Sequence, residues 1–102
     1  MSPTQIAWVA GLFEGEGYIR KPGKAWVQIN MTDYDIIERF QTYTNSNPIH
    51  IAPVYKHHHT NCFRTLITGK ARVREFLSDI LPYLGTRRAH RALDVLDWLE
   101  LT

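Results

Sequence analysis

Residues 8–19 read WVAGLFEGEGYI, and the interpretation of the whole chain depends on this stretch. It begins as an amphipathic helix and then combines two glutamates with three glycines. These residues are Glu14, Glu16, Gly11, Gly15 and Gly17. Glycine costs a helix about 1 kcal/mol relative to alanine, and the negative end of the helix dipole repels carboxylates. A sequence that accepts both penalties is expected to have a packing or functional reason for them.

Length and composition indicate an ordinary globular domain. The chain has 102 residues, which fits a single domain over residues 1–102. Apolar residues make up 44% and charged residues 22%, which argues against disorder. No apolar run approaches the roughly 18 residues that span a bilayer, and the first residues do not resemble a signal peptide. With Cys62 as its single cysteine, the chain is expected to be cytoplasmic and to have no membrane partner.

Charge is segregated along the chain although its net value is only +2. Residues 17–32 and 45–74 together contain eight lysines and arginines and no acidic residue. All ten acidic residues lie elsewhere. A surface that is merely solvated would not require this separation.

Local patterns predict a first helix followed by a hairpin. Residues 2–5 have the form of a capping box, so a helix should begin there and run to about Phe13, stopped by Gly15 and Gly17. Residues 18–31 are rich in β-branched and aromatic types and are interrupted at 21–24, as in a hairpin. In its second arm, an apolar set alternates with a polar and aromatic set. The first set is Val27, Ile29 and Met31; the second is Trp26, Gln28 and Asn30.

The same order repeats along the rest of the chain. Thr32 is predicted to cap a second helix that ends near residues 45–48, and residues 49–55 and 62–68 to form a second hairpin. A third helix is halted by Pro82, and a fourth begins at Thr86. The order αββαββα with an extra C-terminal helix predicts an α+β fold, in which a four-stranded antiparallel sheet carries helices on one face.

Ala7, Gly11 and Gly15 recur every four residues and therefore share one stripe of the first helix. The missing side chains would let another helix approach closely, either within the monomer or in a second copy. If two copies pair through this stripe, Glu14 and Glu16 of both chains converge, and their oxygens would favour Mg²⁺ or Ca²⁺. The alternative is a pair of solvated glutamates that flank a turn.

Residues 9–17, VAGLFEGEG, resemble the nine-residue signature of the LAGLIDADG homing endonuclease family. The residues are identical at Ala10, Gly11, Leu12 and Gly17, and both acidic positions are acidic. The predicted element order also agrees with the fold of that family, whose saddle-shaped sheet lies along the major groove of double-stranded DNA. Because one copy of the motif is present, the resemblance implies a homodimer.

The resemblance also implies an activity and a set of site residues. A homing endonuclease hydrolyses phosphodiester bonds in a long pseudo-palindromic site and is linked to intron or intein mobility. It uses Mg²⁺ or Mn²⁺, with Ca²⁺ as a non-productive substitute, and no small organic cofactor. Glu16 and the Gly15 carbonyl would bind the metal, Glu14 would be a secondary acidic residue, and Arg87 would be the basic residue beside the metal. The dimer interface would contain Ala7, Gly11 and Gly15.

Two departures from the family pattern favour an alternative function. Glu16 replaces the usual aspartate, and the added methylene could displace the metal enough to slow catalysis. Met31 occupies the position of a polar residue that orients water, unless the register slips and Asn30 takes that place. The alternative is a catalytically weak or inactive sequence-specific DNA-binding protein. A third possibility is that the glycine-lined helix forms a dimer for an unrelated function.

The predicted DNA-binding surface combines bases with amides and aromatics. Arginine can read guanine, and glutamine or asparagine can read adenine; lysines and loop histidines would contact phosphates. An exposed Trp26 needs either DNA or a register slip into the core to cover it. Zinc binding by residues 57–59 is disfavoured, because consecutive loop histidines rarely converge on one ion. The predicted DNA-binding residues are Tyr18, Arg20, Lys21, Lys24, Trp26, Gln28, Asn30, Lys56, His57, Arg64 and Arg88.

Overall fold

The computed structural model describes residues 1–21, 24–52 and 62–101. The predictions for Lys56 and for His57 to His59 therefore lie outside the described residues. The described elements follow the predicted order, with a short 3-10 helix, Leu81–Tyr83, before the last α-helix. They are α1 Pro3–Glu16, β1 Gly17–Arg20, β2 Trp26–Met31, α2 Tyr34–Thr44, β3 His50–Ala52, β4 Cys62–Thr68, α3 Lys70–Ile80 and α4 Thr86–Leu101.

The four strands form one antiparallel sheet in the order β1-β2-β4-β3. Every second residue of β2 and β4 turns toward the helices, where the strands and helices share one apolar core. Its members include Val27, Ile29 and Ile67 from the sheet and Val9, Phe13, Phe40 and Phe76 from the helices. The rings of Phe13 and Phe40 both meet Phe76 edge to face. The α+β fold predicted from the sequence is confirmed.

Helix α1 begins as predicted but ends later. The Ser2 hydroxyl accepts a hydrogen bond from the Gln5 backbone, and the Gln5 side chain accepts one from the Ser2 backbone, which completes the capping box. The helix continues through Gly15 to Glu16, three residues beyond the predicted end. Gly17 ends it with an extended backbone and donates its N–H to the Phe13 carbonyl. A side chain on Gly17 would collide with the Phe13 ring, so the close approach requires glycine here.

Two further boundaries differ from the prediction. Asp33, not Thr32, is the N-cap of α2, because the Asp33 carbonyl accepts the first hydrogen bonds of the helix from the backbone of Ile36 and Ile37. Strand β3 begins at His50, one residue after the predicted start, and the predicted remainder of that arm, residues 53–55, lies outside the described residues. The end of α2 agrees with the prediction: Asn45 adopts the left-handed conformation at φ 56°, which asparagine tolerates.

None of the helices in the described ranges has both the length and the apolar character needed to cross a membrane.

Candidate functional site

The strand register places one set of side chains on the face of the sheet that turns away from the helices. Residues directly opposite each other on antiparallel strands project from the same side. Tyr18 lies opposite Gln28, and Asn30 lies opposite Arg64. We call this surface the outer face, and none of its residues in the described strands is acidic. It comprises Tyr18, Arg20, Trp26, Gln28, Asn30, His50, Ala52, Cys62, Arg64, Leu66 and Thr68.

Six of the predicted DNA-binding residues meet on this outer face. They are Tyr18, Arg20, Trp26, Gln28, Asn30 and Arg64. The sequence did not single out His50, Leu66 or Thr68, although the register gives them the same orientation. The alternation of apolar and polar side chains is weaker in β4 than in β2, since Phe63 and Leu66 lie on opposite faces and are both apolar and half-buried.

Three of the polar residues on the outer face are hydrogen-bonded to one another. The Asn30 side-chain oxygen accepts from Gln28 Nε2 at 3.2 Å and from Arg64 Nε at 3.2 Å. Gln28 is only 7% exposed, whereas Asn30 and Arg64 remain half-buried and accessible. These three residues therefore act as one unit rather than as independent side chains.

Trp26 lies on the outer face and is covered in part by an arginine. Its neighbour Val27 is 1% exposed on the helix side, which excludes the register slip considered for the tryptophan. The Arg20 guanidinium carbon lies 5.6 Å from the centre of the indole ring, within range of a cation–π interaction. Among the described residues, no partner reaches the buried indole N–H.

The two predicted lysines of the β1–β2 connection lie at its described ends. Lys24 is exposed and Lys21 is half-buried. Lys24 borders a cleft of ≈ 540 Å³ that also contacts Trp26, Lys70 and Trp98. The connection thus adds positive charge at one end of the outer face.

Arg88 holds the end of α1 to the start of α4. Its Nε donates to the Glu14 carbonyl at 2.6 Å, and a terminal nitrogen donates to the Gly17 carbonyl. The guanidinium also lies 3.9 Å from the Glu14 carboxylate, which accepts a further hydrogen bond from the Gly85 backbone at 3.2 Å. Arg88 was predicted to bind DNA, but its guanidinium is occupied by contacts within the monomer. Glu14 is likewise engaged in holding the fold together.

Glu16 and Gly15 are placed differently from Glu14. Glu16 is the last residue of α1, and its side chain is exposed. The Phe13 and Glu14 carbonyls are taken by Gly17 and Arg88, but no donor in the described residues hydrogen-bonds to the Gly15 carbonyl. A carboxylate and a free carbonyl at the negative end of a helix dipole fit a hard divalent cation such as Mg²⁺.

A single chain offers few ligands for such an ion. Within 1–21, 24–52 and 62–101, no three histidine, cysteine, aspartate or glutamate side chains gather at one point. Mg²⁺ prefers six oxygen ligands. The remaining ligands would therefore have to come from water, from a substrate phosphate or from a second chain.

Arg87 is exposed in the first turn of α4, near the start of β1. It borders a shallow depression of ≈ 340 Å³ whose other lining residues are Gly17, Tyr18, Ile19, Arg88 and Arg91. Arg91 donates to the Ile19 carbonyl at 3.3 Å, whereas no hydrogen bond from Arg87 occurs within the described part of the chain. The predicted basic residue thus has a guanidinium available on the side where α1 ends.

Met31 lies on the helix side of the sheet, where it is half-buried against the core. It pairs with Phe63 in β4 and borders an open apolar groove of ≈ 530 Å³ beside α1. Asn30 points to the opposite face, so the register slip that would exchange the two residues does not occur. The described residues that line this groove with Met31 include no polar side chain other than the indole of Trp8.

The stripe of small residues on α1 is exposed. A Cβ built at Gly11 or Gly15 would meet no atom of the described residues within 4 Å, apart from its chain neighbours and the backbone of its own helix. Ala7 is exposed as well. Within 1–21, 24–52 and 62–101, these glycines are therefore not used for close packing, which argues against the internal alternative considered from the sequence. The apolar groove of Ala7, Trp8, Gly11, Leu12, Met31 and Ile36 runs along the same surface.

The chain matches one protein-family model and resembles solved structures in its fold. Residues 3–81 match the family model of the LAGLIDADG-like domain. No sequence among curated proteins matches the chain.

Two solved structures of the homing endonuclease I-CvuI are similar to it over 95% of its length, each at 16% identity. One is in complex with its target Sro1.3 in the presence of 2 mM Ca, with a TM-score of 0.73. The other is in complex with the I-CreI target C1221 in the presence of 2 mM Mg with the DNA not cleaved, with a TM-score of 0.72. The chain spans 66% of the length of these I-CvuI chains.

Proposed function

The chain belongs to the LAGLIDADG-like domain family, and from that premise we propose that it is a homodimeric, sequence-specific DNA endonuclease. Its substrate would be a long, roughly two-fold-symmetric double-stranded site, in which it hydrolyses phosphodiester bonds with a divalent metal. The observation that carries the proposal is the acid-free outer face, on which arginine, amide and aromatic side chains share one side of a four-stranded sheet.

The composition of the outer face suits DNA. Arg20 and Arg64 can contact phosphates or guanine edges, and Tyr18 and Trp26 supply flat apolar surface. The lysines of the β1–β2 connection extend the positive charge to the end of the sheet. Binding through such contacts releases counterions, so the affinity should fall steeply as salt is added.

The exposed stripe on α1 supports a dimer of two such chains. Gly11 and Gly15 each weaken the helix by about 1 kcal/mol relative to alanine, and neither relieves a close contact with another described residue of the monomer. Two helices that cross at glycine can bring their backbones closer than larger side chains would permit. Flanking Trp8 and Leu12 would then bury apolar surface that the monomer leaves half-exposed.

In such a dimer, the two α1 C-termini would lie side by side. Glu16 and the Gly15 carbonyl of each chain would hold Mg²⁺ or Mn²⁺, with Ca²⁺ as a non-productive substitute. The bound ion would supply Lewis-acid chemistry and lower the pKa of a coordinated water. Arg87 would offset charge on the phosphate near the scissile bond, but it could not act as a base, since a guanidinium stays protonated. Glu14 would not be a ligand, because its carboxylate is held by Arg88 and Gly85.

The second candidate function is sequence-specific DNA binding without efficient cleavage. It is favoured by Met31, an apolar residue at a position that the family usually fills with a polar one, and by the longer side chain of Glu16. Neither departure affects the outer face. Binding and cleavage can therefore separate in this chain.

A two-stage assay tests both candidates. Duplexes that the protein retains in EDTA would first be selected from a random library, and the selected targets would then be incubated with Mg²⁺ or Mn²⁺. The endonuclease predicts nicked or cut product with the wild-type protein. Cleavage should be lost in Glu16→Gln and kept in Glu100→Gln, a surface control with the same change of charge. Tight binding with no nicks in either metal would support the second candidate. If no duplex binds in a salt-dependent way, both are wrong.

A further inference from the structure

The hydrogen bonds of Asn30 determine which of its side-chain atoms remain available to a partner. Its amide group meets Arg64 Nε at 3.2 Å and Gln28 Nε2 at 3.2 Å. Arginine is always a donor, so the Asn30 atom that faces it must be the carbonyl oxygen. That oxygen has two lone pairs, and the two neighbours use both. What Asn30 can offer outward is its NH₂ group.

Its two neighbours also lack an accessible acceptor. Arg64 has no acceptor atom, and its terminal nitrogens still carry N–H groups beyond the bond to Asn30. Gln28 does have an acceptor oxygen, but it is only 7% exposed. It lies in the row between Tyr18 and Leu66. We call Gln28, Asn30 and Arg64 the donor triad, because its accessible polar atoms are hydrogen-bond donors.

We propose that the donor triad selects guanine, and not adenine, at the base pair that it faces. This inference rests on the proposed function and specifies its substrate. To read adenine with paired hydrogen bonds, asparagine must accept from N6 while it donates to N7. Asn30 has no free lone pair for the first of these bonds. Guanine presents two adjacent acceptors, N7 and O6, which suit a surface that only donates.

Adenine is disfavoured for a second reason. Its exocyclic N6 amino group would face the Asn30 and Arg64 donors, and a donor buried against donors loses its hydrogen bond to water without a replacement. Asn30 and Arg64 are also direct partners on the two central strands. Their mutual hydrogen bond orders them before DNA arrives, which lowers the entropic cost of forming the base contact.

The wild-type protein provides the first test. After selection from a random duplex library, each guanine of the selected half-site would be replaced in turn by 7-deazaguanine, which lacks the N7 acceptor, and by adenine. We expect one guanine at which the adenine change weakens binding about 5- to 150-fold, with a clear loss for 7-deazaguanine as well. If no guanine N7 affects binding, the inference is wrong.

The Asn30→Asp variant provides the second test. One carboxylate oxygen of the aspartate can still accept hydrogen bonds from Gln28 and Arg64, while the other oxygen points outward as an acceptor. The base preference at the same position should therefore move from guanine toward cytosine, whose N4 amino group donates. Ser78→Asp, an exposed change in α3 with the same charge difference, should leave the base preference unchanged. Asn30→Asp identifies the base pair that the donor triad faces, because the preference changes there. If the wild-type protein selects adenine at that base pair, the inference is wrong and the proposed function still stands. Absence of sequence-specific binding to any duplex would overturn both.

Discussion

Replacing Gly11 by alanine should have opposite effects on the monomer and on the dimer. In the part of the single chain that the structure describes, a Cβ at Gly11 meets nothing within 4 Å beyond its own helix. The backbone is helical there, so alanine fits without strain and reduces the entropy of the unfolded chain. The free energy of unfolding of the monomer should therefore rise by about 0.4–1 kcal/mol.

The same methyl group should weaken a dimer that packs through the glycine stripe. Inserting a methyl into a tight contact typically costs about 1–3 kcal/mol, and a homodimer carries the change twice. Since about 1.4 kcal/mol corresponds to a factor of ten, the dissociation constant should rise at least tenfold. Stability and assembly would thus change in opposite directions.

Two measurements separate these effects. Urea denaturation at concentrations where wild type is monomeric gives the stability, and sedimentation velocity over a concentration series gives the dissociation constant. Ser78→Ala is the matched control, since Ser78 is exposed in α3 and alanine also favours the helix there. It should not change assembly. If Gly11→Ala dimerises as tightly as wild type, or if wild type stays monomeric in solution, the reasoning about this helix is refuted.

Three further predictions concern the end of α1 and the β1–β2 connection. Arg88→Gln removes the guanidinium donors to the Glu14 and Gly17 carbonyls. The free energy of unfolding, measured by urea titration, should therefore fall by about 2–3 kcal/mol. An unchanged urea midpoint would contradict the capping role of Arg88. Gly17→Ala should destabilise the fold by about 1–3 kcal/mol, because its methyl collides with the Phe13 ring; thermal melting that matches wild type would show that the ring moves aside. Lys24→Ala should weaken binding to all duplexes alike and lower the slope of log K against log salt by about 1; a change in sequence preference would instead assign the lysine to a base.

The sequence predicted those features that depend on neighbours in the chain. The capping box at Ser2 was visible because its two hydrogen bonds join residues three apart. The outer face of β2 was visible because side chains alternate along a strand. By contrast, two carbonyls at the end of α1 accept hydrogen bonds from Arg88, which lies more than 70 residues away in the chain. Local propensity at Gly15 argued for an earlier stop, and no local pattern reports such a distant contact.

The same limit explains why the individual roles of polar residues were harder to foresee. Asn30 and Arg64 were each predicted to face DNA, and the register agrees with that orientation. Their hydrogen bond is a long-range contact that uses the Asn30 acceptor. We therefore expect adenine, which the residue type alone suggested, to be disfavoured there. Residue type gives the possible hydrogen bonds, and only the folded neighbours determine which remain.

The contacts at the end of α1 distinguish its two glutamates, which the sequence presents as a similar pair. A carboxylate near a helix C-terminus is destabilising by about 0.3–1 kcal/mol, but for Glu14 the guanidinium of Arg88 opposes this effect and also satisfies the Glu14 carbonyl. Glu16 has no such partner among the described residues and lies beside the free Gly15 carbonyl. A cation bound there would offset the repulsion between the Glu16 carboxylate and the negative end of the helix dipole. Arg88 thus stabilises the end of α1 within the monomer at Glu14, and in the proposed dimer a cation would stabilise the same helix end at Glu16.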